Sequence, residues 1–168
     1  MNLVIDVHYF NDDYAVASGI LFADWSASSS VKKVSIKVEN IKPYEPGSFF
    51  ERELPCILSL LNELSQKPDL LIIDGYVTLG AESRKGLGAH LYQALGEGIP
   101  IIGVAKNSFA GTPDDKKIYR GESEKPLYVT SIGIDQNEAK QLIQSMHGGF
   151  RIPTLLKMVD SECRSGIT

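Results

Sequence analysis

Five residues, Leu70 to Asp74, read Leu-Leu-Ile-Ile-Asp, and Gly75 follows at once. An apolar run of that length without alternation is a strand covered on both faces, of the kind found at the centre of a parallel sheet. Covering both faces takes helices, so this segment points to an α/β architecture. The run from Ile99 to Ala105 repeats the pattern. Both are far shorter than the ~20 apolar residues that span a bilayer.

The chain around these runs changes period twice. Residues 2–9 alternate, with Leu3, Ile5 and Val7 on one face and Val4, Asp6 and His8 on the other. Tyr14 to Ala23 is a second strand, and Val31 to Glu39 alternates again. Short turns between the three predict an antiparallel meander. A helical period then runs from about Phe49 to Gln66, with Pro55 tolerable only near its first turn and Pro68 beyond its end. A second helix is predicted over Arg84 to Leu95. The stretch from Ser108 to Lys125 is expected to be irregular. Pro126 to Gly133 reads as a strand, Asp135 as the cap of a helix through Met146, and the tail from Pro153 as a short helical turn. A three-strand antiparallel meander followed by helix–strand units is a mixed sheet, and it matches the ribonuclease H-like architecture. With 168 residues the chain is expected to form one domain, 1–168.

Several acids stand where a solvated acid is not the default. Asp6 lies mid-strand in an apolar stretch, and burying a lone carboxylate is costly without a partner or a cation. Asp74 ends the central run, at the edge where ligands meet open α/β sheets, and Gly75 lets a ligand approach the backbone. Glu53 falls in the first turn of the long helix, near its core-facing edge; a bland alternative is an acid complementing the helix dipole. Asp160, four residues after Leu156, reads by itself as a solvated helix acid. Lys106 directly follows the second buried run, where a lysine can meet a phosphate or simply end a strand in solvent. Together the acids predict an oxygen-rich site for Mg²⁺ or Mn²⁺, ions that activate water and stabilise charge on a phosphoryl group.

The net charge of −4 disfavours a large basic nucleic-acid-binding surface but suits a carboxylate metal site with a small basic rim. The two cysteines, Cys56 and Cys163, lack metal-binding spacing and are expected to be free thiols. No signal-peptide pattern is visible at the start, so a cytoplasmic address and no membrane partner are expected.

The segments VIDVHYFNDDYAVAS, PYEPGSFFERELP, PDLLIIDGY, GLGAHL, PIIGVAKNSF and FRIP, in this order, resemble the endonuclease V family, the deoxyinosine-directed nucleases, over nearly the whole chain. The resemblance implies a ribonuclease H-like fold and an Mg²⁺-dependent endonuclease that cleaves a phosphodiester near inosine in DNA or RNA. It implies that Asp6, Glu53, Asp74 and Asp160 hold metal, with Lys106 facing the phosphate. It makes Tyr44 and Pro46 a wedge that parts the strands, and it places Gly47, Phe49, Gly75 and Phe109 around the base pocket. Arg52 joins the expected nucleic-acid rim, with Arg84 and Lys85 as nearby phosphate candidates.

The loop after Asp74 departs from the family. It reads DGYVTLGAESRKGLGAHL, without the histidine and proline that the family carries there. Of the three histidines, His8 shares a strand face with Asp6, His90 lies in the following helix, and His147 ends a helix. The departure predicts altered or reduced cleavage, the alternative being a catalytically weak or inactive nucleic-acid-binding relative.

Overall fold

The computed structural model describes residues 1–166, apart from the side chain of Phe49. The elements are β1 (Asn2–Phe10), β2 (Tyr14–Phe22), β3 (Lys32–Glu39), α1 (Phe49–Asn62), β4 (Leu70–Asp74), β5 (Thr78–Leu79) and β6 (Arg84–Lys85). There follow α2 (Leu87–Ala94), β7 (Ile101–Ala105), β8 (Lys117–Ile118), β9 (Leu127–Ile132), α3 (Gln136–Ser145) and α4 (Thr154–Ser165). Among the described residues one sheet of seven strands runs in the order β3-β2-β1-β4-β7-β9-β8. The meander β1-β2-β3 is antiparallel, β1, β4 and β7 are parallel neighbours, and β9 and β8 continue antiparallel. This is the mixed, ribonuclease H-like sheet that the change of period predicts.

Alternation along the strands divides the core in two. Leu3, Ile5, Leu71 and Ile73 face α1 and α2, meeting Ile57, Leu60 and Leu91. Val4, Ile20, Ile72 and Val104 face α3 and α4, meeting Ile143, Leu156 and Val159. The β4 run is apolar at every position because each face has its own helical layer.

Several local expectations are corrected. Pro55 sits well inside α1, not near its first turn. It is tolerated on the exposed face, where the Glu51 carbonyl it leaves unpaired can reach water. The second helix starts only at Leu87; Arg84 and Lys85 belong to a two-stranded hairpin with Thr78 and Leu79. Ser83, at φ +52°, turns that hairpin. Within the stretch expected to be irregular, β8 pairs with β9. The tail from Pro153 is a full helix of 12 residues, because Leu155, Leu156, Val159 and Cys163 form a buried stripe against β1 and β2.

Candidate metal and nucleic-acid site

Register alone gathers the first part of the site. Ile5 pairs with Ile73 in the parallel β1–β4 ladder, so the next residue on each strand brings Asp6 beside Asp74. Asp74 pairs with Val104 of β7, and Lys106 lies two residues further, on the same face. The result is a 3.5 Å ion pair between Lys106 Nζ and Asp74 Oδ2. All three residues therefore point to the α4 side at the carboxyl end of the parallel strands. Glu53 comes from the first turns of α1, on the opposite layer, close enough to feel the charges of both Asp6 and Asp74.

The helix α4 adds two groups. Asp160 and Cys163 lie one turn apart, and a carboxylate oxygen of Asp6, one of Asp160 and the Cys163 sulfur all fall within 4.8 Å of one another. Asp160 is not free in solvent: Arg164 Nε donates to its Oδ1 at 2.8 Å, and Asp6 shares a hydrogen bond with it. Cys163 is missed by sequence reasoning, since only the full length of α4 brings it under β1.

These acids carry more negative charge than their surroundings balance. Burial, then the Asp74 charge, pushes Asp6 up to about 7. Burial, then Asp6 and Asp74, pushes Glu53 up to about 8. Burial raises Asp74 as well, against the pull of Lys106. Asp160 moves the other way: burial opposes its ionisation, but the bonds from Arg164 and Asp6 outweigh it. Asp6 is only 8% exposed. A cluster of carboxyls that ionises reluctantly, made of hard oxygen donors, fits a divalent cation of the Mg²⁺ or Mn²⁺ type. The neighbouring thiol is held protonated by burial, which raises Cys163 to about 12.

Beside Asp74 and Glu53 opens a cavity of about 840 Å³. Gly47, Gly75 and Phe109 line it, joined by Phe50, Tyr76, Leu79, Arg84, Lys85 and His90. The His90 ring stacks on Phe50, with centroids 3.8 Å apart. Gly75 adopts φ +140°, which a side chain would strain. The turn after it is pressed onto the sheet: a Cβ on Gly103 would sit 2.5 Å from the Gly75 carbonyl oxygen, and the Val77 amide donates to Thr130 Oγ1 at 2.8 Å. The cavity wall at Asp74 is thus held in place by two neighbouring strands.

The remaining expected residues divide. Tyr44 and Pro46 are exposed on the loop before α1. Arg52 is drawn inward instead: it is 12% exposed, its guanidinium lies 3.9 Å over the Tyr9 ring, and it pairs with Asp12 at 3.3 Å. The side chain of Phe49 lies outside the described residues. His8 packs edge-on against Phe10, with centroids 4.8 Å apart.

Comparison with known proteins follows this geometry. The family model described as Endonuclease V matches residues 3–132. The chain belongs to the endonuclease V family. It is 29% identical to the endonuclease V of Streptomyces coelicolor, over 97% of this chain and 77% of that protein. The crystal structure of the Streptomyces avermitilis endonuclease V is similar at 30% identity and a TM-score of 0.73, covering 97% of this chain and 79% of that one. A Ciona intestinalis endonuclease V, crystallised with a 24mer DNA containing an inosine followed by a ribo-adenosine, shares the fold. Its TM-score is 0.80 at 20% identity, over 98% of this chain and 84% of that one. No described helix is long and apolar enough to cross a membrane.

Proposed function

We propose that this protein is a divalent-metal-dependent endonuclease that cleaves a phosphodiester near inosine in DNA or RNA. The observation that carries the reading is that Asp6 and Asp74 stand side by side on the neighbouring strands β1 and β4, with Glu53 close enough to feel both charges and Lys106 Nζ 3.5 Å from Asp74. Asp6, Asp74 and Glu53 would hold the cation, with Asp160 beside them. When bound, the cation supplies water activation and offsets charge on the phosphoryl group.

The chain's own residues do the rest. Lys106 stands at the end of β7 to meet a phosphate oxygen and exchange it for the Asp74 contact. The cavity next to Asp74 has ample room for an unstacked base, with the Phe50–His90 stack and Phe109 among its walls and the backbone at Gly47 and Gly75 left open to the base's polar edge. Tyr44 and Pro46, exposed on the loop before α1, would hold the strands apart.

A second reading, a nucleic-acid-binding protein that cuts slowly or not at all, is favoured by one feature: the loop from Gly75 to Gly86 holds no histidine. A nicking assay on inosine-containing DNA and RNA, with Mg²⁺ and with Mn²⁺, separates the two. Cleavage next to inosine, absent with EDTA, is the expected result. Binding without cleavage under either ion selects the second reading, and neither binding nor cleavage removes both.

A further inference from the structure

A second cleft, of about 940 Å³, opens on the other side of Lys106. The base cavity is lined by Asp74 and Glu53, this cleft by Lys106 and Asp160, so the two meet at the Lys106–Asp74 pair. At its rim stands Phe150, 80% exposed, with Lys157 on the first turns of α4. A single exposed aromatic needs no explanation by itself. The loop that presents this one does.

That loop is held by a buried cation. Arg120, only 3% exposed, donates to the carbonyls of Met146 at 2.6 Å, Phe150 at 2.7 Å, Gly148 at 3.0 Å and Arg151 at 3.3 Å. Gly121 lies so close beneath that a Cβ there would fall 2.4 Å from the Gly149 carbonyl oxygen. Arg151 fixes the other end, donating to the Pro126 carbonyl at 2.7 Å and to that of Lys106. Burying one guanidinium to satisfy backbone carbonyls is costly, and its effect is a loop whose backbone from Met146 to Arg151 is pinned with Phe150 exposed. The ring stands at the rim of a cleft that is also lined by Lys106, Lys157, Asp160 and Glu122.

We infer that this cleft takes the nucleotide on the far side of the scissile phosphate from the base cavity, with its base stacked on Phe150 and its phosphate between Lys106 and Lys157. This rests on the nuclease reading above. A strand whose phosphate lies at the acids must send one neighbour to each side, and only a π-surface and cations are required to hold an unpaired nucleotide of any sequence. Preorganised loops cost less to order on binding, which is what the Arg120 clamp provides.

The test is binding of a fluorescein-labelled single-stranded oligonucleotide containing one deoxyinosine, by anisotropy, with Ca²⁺ as the divalent ion. Phe150→Ala weakens binding about 5- to 100-fold, the range of one base–aromatic stack, and Phe150→Trp keeps it. An abasic nucleotide is then moved one position at a time along the strand on both sides of the expected cut. At one position, on the side away from inosine, the wild-type protein loses the same factor and Phe150→Ala loses nothing further. Lys157→Gln lowers the slope of log affinity against log salt by about 0.7. Phe150→Ala binding like the wild type, or losing equally at every abasic position, overturns the inference and leaves the nuclease reading standing. A wild-type protein that binds no inosine-containing strand overturns both.

Discussion

The two flanks of the Lys106–Asp74 pair are built from different materials. The base cavity is walled by rings and by backbone in special conformations: the Phe50–His90 stack, Phe109, and Gly75 at φ +140°. The far cleft has one outward ring, and its rigidity comes from a guanidinium buried among carbonyls. One flank is a cavity walled by several rings; the other presents a single exposed ring beside Lys106 and Lys157. The difference teaches that the acid centre between them is the shared element, and that variants there and on the flanks must behave differently.

The largest effect is expected at the centre. Asp74→Ala removes a carboxylate from the edge of β4 without opening a hole in either core layer, since Asp74 is 41% exposed and Ile72 and Ile73 remain. Cleavage is expected to fall by at least about 10³-fold, the scale of several kcal/mol of charge stabilisation. Thermal unfolding in EDTA stays near that of the wild type. Undiminished cleavage by this variant would end the metal reading for both flanks at once.

The centre was legible in the sequence because β-strand geometry is. Alternation put Asp6 opposite Leu3 and Ile5, the unbroken run marked β4 as central, and Lys106 stood directly after the second such run, though only the β4–β7 register shows it on the same face as Asp74. Glu53 was legible from helix phase. Asp160 was legible only through the family resemblance and Cys163 not at all, because the tail reads as a short helical turn until its stripe of Leu155, Leu156, Val159 and Cys163 is docked on β1 and β2. Arg120 could not be read at all: its partners are carbonyls, which no side-chain pattern reveals. Arg52 reads as a rim cation, and only the fold shows Tyr9 and Asp12 taking it up.

The base-cavity flank carries the loop without its histidine, and this sets the next effect. Tyr76 Oη donates to the Asn107 carbonyl at 2.6 Å, so the hydroxyl two residues after Asp74 is already occupied. A positioned acid or base contributes roughly 10²–10⁴ in rate. Single-turnover cleavage of one inosine substrate is expected to be at least about 10²-fold slower than in a relative that carries the histidine, with Mn²⁺ narrowing the gap. His8→Ala changes the rate less than about threefold, its ring being packed on Phe10. A wild-type rate equal to the relative's would show that this flank needs no imidazole.

A smaller effect separates the centre from both flanks by pH. Asp6 stands at about 7 and Glu53 at about 8, against ordinary values of 3.8 and 4.5. The folded metal-free protein therefore binds more protons than the unfolded chain between those limits. Stability is greatest below about pH 4 for these two groups, falls as pH rises, and levels off above about pH 8. Urea midpoints in EDTA should be lower at pH 8.5 than at pH 5.5, and Mg²⁺ should raise the midpoint at pH 8.5 far more than at pH 5.5. A midpoint independent of pH in EDTA would mean that the acids do not crowd one another.

The smallest effect concerns the reach of the basic rim. A net charge of −4 and a site ringed by acids leave few cations to meet phosphates. On the cavity side Lys85 Nζ is bonded to Gln93 Oε1 at 2.9 Å, and Arg84 lies 5.7 Å over the Phe109 ring. On the cleft side Arg151 is consumed by carbonyls, leaving Lys157 and the shared Lys106. Each phosphate contact to a single strand contributes about −0.7 to the salt slope. Two or three contacts predict a slope of roughly −1.4 to −2. Arg84→Gln should remove about one contact's worth from the cavity side, matching the loss from Lys157→Gln on the other. Affinity measured from low to moderate salt checks both. A slope steeper than about −4 would require a basic surface spread well beyond these two flanks, and the picture of one acid centre between two short arms would have to be abandoned.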